Sequence, residues 1–236
     1  MKKGKLYLLP VPLGENAIHT IPTYVKEMIQ TLDIFIVERA KTARHFIKAL
    51  CPGKSLDLNL LELNEHTPLE EITNFLDAAE KGKNMGLMSE AGCPGVADPG
   101  AAVVQLAHQK GIEVIPLVGP SSILLALMAS GMNGQSFCFH GYLSAKKPEL
   151  EKDLKRLEQL SIQFNQTQVF IEAPYRNRNV VETALKDLAP STQFCIAVDL
   201  TLETQWIKTL SIQQWCTTGI PDLHKRPAIF LLYKNT

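Results

Sequence analysis

Three turns rich in glycine, proline and serine follow predicted strands, and they are the segments of this sequence best suited to chemistry. They occupy residues 10–14 (PVPLG), residues 89–100 (SEAGCPGVADPG) and residues 116–122 (PLVGPSS). In an open α/β sheet, ligands bind beyond the carboxyl ends of the strands. Small residues also let the main chain approach a ligand closely. The pattern therefore predicts a ligand site formed by all three turns at one sheet edge.

The turns lack the glycine spacings that hold phosphate groups. None fits G-x-G-x-x-G or G-x-x-x-x-G-K-[ST], so neither a dinucleotide cradle nor a triphosphate cradle is predicted. A long loop instead separates the predicted strand at 84–89 from the helix at 99–110. Such a loop suits a ligand held by backbone hydrogen bonds and close packing, such as an adenosine or a methionine moiety.

Two groups of polar residues also lie at the ends of predicted strands. Their members are Glu38, Arg39 and Lys41 in the first group, and Glu172, Tyr175 and Arg176 in the second. An acid, a phenol and a guanidinium at a sheet edge can clamp an acceptor, because arginine offers a planar pair of donors to phosphate or carboxylate. For Glu38, which stands beside Arg39, a structural ion pair or an exposed charge is the alternative to an acceptor-side role.

Two further polar residues have simple structural explanations. Asp98 precedes Pro99 and is expected to cap the next helix, where a carboxylate is favourable. His140 lies beside an apolar strand and is expected to be a hydrogen-bonded structural residue rather than a general base. The histidines and the five cysteines are scattered without ligand spacing, so no metal site is predicted.

Alternating β-branched runs and amphipathic segments predict the elements that position these residues. The alternation is typical of an α/β protein with mostly parallel or mixed sheets. The clearest predicted helix begins at Thr67, with a Thr67-x-x-Glu70 capping box, Pro68 in the first helical position and Gly82 after the last turn. The small and polar segment 130–136 predicts the boundary between two small α/β domains, residues 1–131 and 132–236.

Charge and composition narrow the classes of partner. The 24 lysines and arginines balance 24 aspartates and glutamates, so a nucleic-acid partner would have to meet a local basic patch. No run approaches the roughly 20 apolar residues of a membrane span, and no secretory signal pattern is found. An odd number of unpaired cysteines is typical of a reducing compartment. The expected location is the cytoplasm.

The sequence resembles the tetrapyrrole (corrin/porphyrin) methylase superfamily along nearly its whole length. The segments that carry the resemblance are LYLLPVPLG at 6–14, the loop at 89–100, GPSSILLAL at 119–127, HGYL at 140–143 and EAPYR at 172–176. Within the superfamily the chain looks most like the branch that methylates a ribose 2′-hydroxyl of small-subunit ribosomal RNA. The resemblance implies an S-adenosylmethionine-dependent methyltransferase, a cofactor cleft between the two domains, a homodimer, and ribosomal RNA or the small ribosomal subunit as partner.

The resemblance also assigns roles to individual residues. It places cofactor contacts at Pro12, Leu13, Ser89, Glu90, Ala91, Gly92, Pro94, Gly95, Val96, Ser121, Ser122, Ile123, Tyr142, Leu143, Pro227 and Ala228. It places the catalytic or acceptor-side residues at Glu38, Arg39, Lys41, Glu172, Tyr175 and Arg176. Methyl transfer is a displacement from an already activated sulfonium, so the protein must chiefly align the two reactants and remove a proton. No metal is needed.

The acceptor side departs from the branch that the chain resembles. Where that branch carries Glu-Asp-Thr-Arg, this chain has Glu38-Arg39-Ala40-Lys41, so only the glutamate is in place. Three hypotheses follow: methylation of ribosomal RNA, methylation of a tetrapyrrole or other small acidic acceptor, and a non-catalytic module that binds S-adenosylmethionine. The first turn lacks the Gly-x-Gly-Pro-Gly-Asp of the tetrapyrrole enzymes, which favours the ribosomal RNA branch.

Overall fold

The chain forms two compact units, Met1–Ser121 and Ser122–Thr236, in a computed structural model that describes residues 2–64 and 67–234. Each unit has its own sheet, covered by helices, and its own hydrophobic core. The α/β class predicted from the sequence is confirmed.

The first unit is built on a parallel sheet with the strand order β3-β2-β4-β1-β5. The strands are β1 (Lys5–Leu8), β2 (Ile34–Val37), β3 (Asn59–Glu62), β4 (Met85–Met88) and β5 (Glu113–Pro116). Parallel strands need crossover connections. Those connections contain a short 3-10 helix (Ile18–Thr20) and the α-helices α1 (Thr23–Thr31), α2 (Ala40–Leu50), α3 (Leu69–Ile72), α4 (Asp77–Glu80) and α5 (Gly100–Gln109).

Strand β2 shows why this sheet is buried on both faces. All four of its residues, IFIV, are buried. Successive side chains of a strand point to opposite faces. Phe35 accordingly belongs to the cluster that contains Val25 and Ile47 of α1 and α2, whereas Ile36 belongs to the cluster that contains Val103 of α5. A continuous apolar run is typical of a parallel strand covered by helices on both sides.

The second unit is built on a mixed sheet with the strand order β6-β7-β10-β8-β9. Strands β6 (Phe137–Tyr142) and β7 (Thr167–Ile171) are parallel, and the pairings that involve β8 (Gln193–Val198), β9 (Trp206–Ser211) and β10 (Ala228–Tyr233) are antiparallel. The helices of this unit are α6 (Ser122–Ser130), α7 (Lys147–Phe164), α8 (Asn177–Asp187) and α9 (Ile212–Thr218). Phe230 stacks between Phe170 and Phe194 in the core, with ring centroids 5.5 and 6.0 Å away.

Helix α6 belongs to the second unit, so the division lies earlier in the chain than the 131/132 boundary expected from the sequence. The helix packs against β9 and β10. Its last carbonyl, that of Ser130, accepts a hydrogen bond from Thr209 Oγ1 of β9 at 2.8 Å. The polar segment 130–136 that suggested the boundary is the connection between α6 and β6.

The helix predicted from Thr67 to Gly82 is wrong. The segment forms two single-turn helices, α3 and α4, with a break between them. The Thr67 hydroxyl accepts a hydrogen bond from the Asn64 N–H at 2.9 Å, and Pro68 precedes the helix instead of opening it. Thr73 Oγ1 donates to the Glu70 carbonyl at 2.6 Å, and such local bonds compete with helix propagation.

The sequence prediction omitted strand β3, helix α9 and the short 3-10 helix. Strand β3 carries the exposed and half-buried residues NLLE at the edge of its sheet, so it lacks a strong apolar run. Helix α9 begins with a capping box in which Ser211 and Gln214 bond to each other's backbone N–H groups. In the residues that the structure covers, no helix has the length and the apolar character needed to span a membrane.

Candidate functional site

The three turns that predict a ligand site lie together at the carboxyl edge of the first sheet. Val11 and Gly92 exchange two backbone hydrogen bonds, of 2.9 and 3.1 Å. The third turn joins them, because Cys93 Sγ donates to the Pro120 carbonyl at 3.5 Å and Gly119 lies against Pro10. A Cβ atom at Gly119 would lie 2.1 Å from Cβ of Pro10, so this contact requires glycine. The first unit therefore brings the turns into one structure.

Asp98 organises the loop at 89–100. Its carboxylate accepts hydrogen bonds from the Gly95 N–H at 2.9 Å and from the Gly100 N–H at 2.7 Å. The second bond is to the first residue of α5, which agrees with the expected capping role. Burial raises the pKa of Asp98, and the backbone N–H groups oppose that rise. Asp98 thus fixes the loop, and Gly95 is held at a φ of +84°.

The surface of the joined turns is mostly apolar side chain and bare backbone. Val96 is 49% exposed and Val118 is 72% exposed, although valine is usually buried. Pro12 and Leu13 are half-buried, and a Cβ at Gly95 would meet no other group within 4 Å. Tyr24 stabilises the third turn, because its Oη accepts a hydrogen bond from the Val118 N–H at 2.5 Å. These residues fit a ligand bound through apolar contact and backbone hydrogen bonds.

Glu38 joins this edge through the loop at 89–100. Strands β2 and β4 are neighbours, and Glu38 Oε1 accepts a hydrogen bond from the Glu90 N–H at 2.9 Å. Burial raises the pKa of Glu38, and the nearby carboxylates of Asp98 and Glu90 act in the same direction. The Glu90 N–H and Arg39 oppose the rise. A partly buried carboxyl group with a raised pKa is suited to proton transfer.

Arg39 and Lys41 have few contacts. The Arg39 side chain is 75% exposed and lies 3.9 Å from Glu90 Oε2, so the ion pair between Glu38 and Arg39 considered from the sequence does not form. Lys41 is exposed and makes no ion pair or hydrogen bond with the described residues. Two residues that the sequence did not single out organise this corner. Thr42 donates to Glu90 Oε1 at 2.6 Å, and Glu62 Oε1 accepts from the Ala40 N–H, capping α2, at 2.7 Å.

The second unit contains Glu172, Tyr175 and Arg176 at the end of β7. Glu172 is buried, and one of its oxygens accepts hydrogen bonds from Arg176 Nε at 2.9 Å, from Arg176 Nη2 and from the Ala173 N–H at 2.6 Å. Tyr175 is 73% exposed, with the Arg176 guanidinium 5.7 Å from its ring centroid. The guanidinium expected to clamp an acceptor therefore has an internal partner, and the clamp stays a prediction.

The remaining second-unit candidates lie mostly at the same edge of the mixed sheet. Ile171 pairs with Tyr142 on one side and with Ile229 on the other, so the end of β6 and the start of β10 flank the end of β7. Tyr142 is exposed and Leu143 is buried, while Pro227 is exposed and Ala228 is half-buried. Ser122 and Ile123 begin α6 and are half-buried; Ser121 ends the first unit.

A cavity of about 270 Å³ lies beside Tyr175 within the second unit. It is lined by Pro174, Tyr175, Arg178, Pro221, Asp222, Leu223 and His224. Sequence reasoning found only Tyr175 among these residues. Pro174 lies in the turn after β7 and Arg178 is exposed on α8, whereas the others lie in the irregular segment before β10, which has no periodic pattern.

His140 and the other possible metal ligands are not gathered into a centre. His140 Nε2 lies 2.6 Å from Oε1 of the buried Gln168, which fits the structural role expected for it. Across residues 2–64 and 67–234, no group of three or more His, Cys, Asp or Glu side chains is arranged to hold a metal ion.

The family follows from a comparison with known proteins. A family model described as Tetrapyrrole (Corrin/Porphyrin) Methylases matches residues 5–215, which is most of the chain. The chain belongs to this methylase family. The resemblance drawn from the motifs is therefore confirmed.

Relatives of this chain include two curated bacterial proteins. The ribosomal RNA small subunit methyltransferase I of Escherichia coli O157:H7 is 30% identical, over 84% of this chain and 66% of that protein. The protein of the same name from Bacillus subtilis (strain 168) is also 30% identical, over 84% of this chain and 64% of that protein. The chain thus spans about two thirds of the length of these relatives.

Solved structures of methyltransferases share the fold of this chain. The methyltransferase CobJ matches with a TM-score of 0.65 and 18% identity, over 98% of this chain and 94% of that one. Uroporphyrin-III C-methyl transferase from Thermus thermophilus complexed with S-adenyl homocysteine matches with a TM-score of 0.58 and 15% identity, over 98% of each chain. At such identities the likeness shows the fold alone.

Proposed function

We propose that this chain is an S-adenosylmethionine-dependent methyltransferase that methylates a ribose 2′-hydroxyl of small-subunit ribosomal RNA. The observation that carries the proposal is the meeting of three glycine-bearing turns at one sheet edge, in a chain that belongs to a methylase family. The names of the bacterial relatives support the acceptor class. The S-adenyl homocysteine bound by the Thermus enzyme supports the cofactor. We also propose that the protein acts as a homodimer in the cytoplasm.

The turns of the first unit are proposed to hold the cofactor. Exposed Val96 and half-buried Leu13 offer apolar contact, and Gly95 leaves backbone open beside them. When bound, S-adenosylmethionine supplies an electrophilic methyl group on a sulfonium. The cofactor contacts assigned to the second unit, at Ser122, Ile123, Tyr142, Leu143, Pro227 and Ala228, rest on the family resemblance.

Glu38 is the residue proposed to take the proton of the 2′-hydroxyl. The proton that the 2′-hydroxyl loses on methylation would pass to the Glu38 carboxylate, and bound S-adenosylmethionine would supply the methyl group. Burial raises the pKa of Glu38, and a base is most effective when its pKa approaches the working pH. The hydrogen bond from the Glu90 N–H holds one carboxylate oxygen in place.

Calorimetry tests the cofactor separately from the acceptor. We expect S-adenosylmethionine to bind at one site per chain, and we expect NAD and ATP to bind poorly because the turns lack a phosphate cradle. Tight binding of ATP without binding of S-adenosylmethionine would reject the proposal.

Transfer of a labelled methyl group tests the acceptor. We expect label in unmodified small-subunit ribosomal RNA, offered free or in subunits. Label in a tetrapyrrole alone would support the second hypothesis, methylation of a small acidic acceptor. Cofactor binding without turnover on either acceptor would support the third hypothesis, a non-catalytic module that binds S-adenosylmethionine.

A Glu38→Gln variant tests the proposed base. General base catalysis contributes about 10²–10⁴-fold, so turnover should fall by at least about 100-fold while cofactor affinity is retained. Glu62→Gln is the matched control, because Glu62 lies at the end of the neighbouring strand and caps α2 through an oxygen that glutamine keeps. Equal turnover in the two variants would remove Glu38 from the mechanism.

A further inference from the structure

The solvent face of α2 is a continuous row of basic side chains. This basic stripe consists of Lys41, Arg44, His45 and Lys48, at positions i, i+3, i+4 and i+7 of the helix. Residues at these spacings are neighbours on one face, with Cβ atoms about 5–6 Å apart. All four side chains are exposed, and none makes an ion pair or a hydrogen bond with any described residue.

The opposite face of α2 fixes the orientation of the stripe. Ala43, Ile47 and Leu50 are buried in the core of the first unit. The helix therefore presents its charged side to solvent. A helix that lies in a membrane interface needs a free apolar face. The apolar face of α2 is already used, so the stripe is suited to a polyanion in water.

The stripe is unusual because no acidic side chain in residues 2–64 and 67–234 pairs with it. The sequence of α2 contains no acidic residue, and like charges at i and i+4, such as Arg44 and Lys48, destabilise a helix. Helix α7 shows the ordinary arrangement. There Arg156 lies 3.7 Å from Asp153, and Lys155 lies 3.4 Å from Asp187. In a chain with no net charge, the stripe is a local excess of positive charge.

We propose that the basic stripe of α2 binds the phosphate backbone of the RNA acceptor. The inference rests on the proposed function, and it names the surface of the first unit that the acceptor meets. From Lys41 to Lys48 the helix rises about 10 Å, which matches the axial length of about three phosphates on one strand of a duplex, at about 3.4 Å each. Phosphate contacts fix position and orientation without reading sequence.

The position of α2 connects the stripe to the chemistry. The helix begins two residues after Glu38, the proposed base, and its N-terminus is capped by Glu62. An RNA strand bound to the stripe therefore runs along α2, the helix that directly follows the proposed base Glu38. The stripe acts as a positioning surface, because its residues hold the backbone and take no part in proton transfer.

The test is an Arg44→Gln/Lys48→Gln variant, which leaves Lys41 and all proposed cofactor contacts unchanged. Both side chains are exposed and unpaired, so the fold should be retained, and circular dichroism checks this. The matched control is Lys146→Gln/Lys152→Gln, which removes the same charge from exposed, unpaired lysines at and near the start of α7. A third variant, Arg44→Lys/Lys48→Arg, keeps the charge of the stripe.

Fluorescence anisotropy with a labelled, short single-stranded RNA of mixed sequence measures the binding. Because a single strand contributes about 0.7 to the salt slope for each neutralised phosphate, the first variant should lower that slope by about 1.4. Its affinity in about 50 mM salt should fall roughly tenfold. The lysine control and the charge-keeping variant should both bind like the unchanged protein.

Three results would overturn the proposal: unchanged affinity in the Arg44/Lys48 variant, an equal loss in the control, or stripe-dependent binding to phosphatidylserine vesicles without binding to RNA. Methyl transfer to ribosomal RNA separates this inference from the proposed function. Stripe-dependent RNA binding without any methylation would reject the function and leave the stripe as an RNA-binding surface. Full methylation by the variant at limiting RNA would reject the stripe alone.

Discussion

Replacing Arg176 with alanine should destabilise the second unit strongly. The guanidinium donates two hydrogen bonds to one oxygen of Glu172. The Glu172 side chain is only 2% exposed, and that of Arg176 is 22% exposed. Truncating Arg176 therefore leaves a carboxylate buried, with the Ala173 N–H as its remaining partner among the described residues.

The size of the effect follows from that burial. Breaking a buried ion pair by removing one partner costs about 3–5 kcal/mol. The partial exposure of Arg176 and the remaining Ala173 N–H reduce the expected loss in the free energy of unfolding to about 2–3 kcal/mol. A small domain is stable by only about 5–15 kcal/mol, so this is a large fraction. With a urea m-value of about 2 kcal/mol/M, the midpoint should move down by about 1 M.

Tryptophan fluorescence in urea measures the second unit selectively. The two tryptophans of the chain, Trp206 and Trp215, are both in that unit, and Trp215 is buried in its core. Their rings lie 6.0 Å apart between β9 and α9. The emission change thus reports the unfolding of the second unit even when the first unit unfolds separately, which matters because two-domain chains often depart from two-state behaviour.

A Glu172→Gln/Arg176→Ala double variant supplies the control. Glutamine removes the buried charge and can still accept from the Ala173 N–H, so the double variant should recover at least about 1 kcal/mol relative to Arg176→Ala. An Arg176→Ala midpoint equal to that of the unchanged protein would refute the reasoning, as would a double variant less stable than the single one. Methyl transfer by the double variant separates the two possible roles of Arg176. If Arg176 clamps the acceptor, methyl transfer stays low in the double variant, and if it only holds Glu172, methyl transfer returns with stability.

The first unit provides three further predictions, all measured by urea unfolding followed by circular dichroism. Burial raises the pKa values of Glu38 and Asp98, so above the ordinary carboxyl pKa of about 4 the folded state holds more protons than the unfolded state. The free energy of unfolding should therefore fall as the pH rises through the raised values. Glu38→Gln should make this fall shallower, and an unchanged pH profile would contradict the assignment. Asp98→Ala should cost about 1–2 kcal/mol through the lost cap, and a loss near zero would mean that the loop holds itself. Gly119→Ala should destabilise the first unit, because the added Cβ clashes with Pro10. Gly134→Ala in the second unit is the control and should have little effect, because an added Cβ there meets nothing within 4 Å. Equal effects of the two substitutions would refute the packing argument.

The fold was largely predictable because most strands can be recognised in the sequence as apolar runs. Strand β2, with its four buried residues, is unambiguous from the sequence IFIV. The errors arose where local signals competed with tertiary contacts. The capping-box pattern at Thr67 suggested one long helix, but the structure has two short helices there. The capping box whose hydrogen bonds do form, at Ser211, begins a short helix that the sequence prediction omitted. Strand β3 lies at a sheet edge and lacks the apolar run that marks its neighbours.

The candidate site was predictable where it depends on the ends of strands. The meeting of the three turns follows from the rule that parallel strands share one carboxyl edge. The partner of Glu38 was not predictable, because Glu90 is distant in the sequence and comes close only through the pairing of β2 with β4. The partner of Glu172 was within reach of the sequence, since Arg176 follows it at i+4.

Glu38 and Glu172 look alike in the sequence and differ in the structure. Each comes directly after a buried strand and has an arginine nearby. Glu172 accepts hydrogen bonds from two guanidinium N–H groups of Arg176, and this pair ties together the turn after β7. Among the described residues Glu38 accepts a hydrogen bond from one backbone N–H, while burial and two neighbouring carboxylates disfavour its charge. A carboxylate whose charge is poorly compensated gains most from accepting a proton. Of the two glutamates, we therefore propose Glu38 for the proton transfer and Glu172 for the stability of the turn after β7.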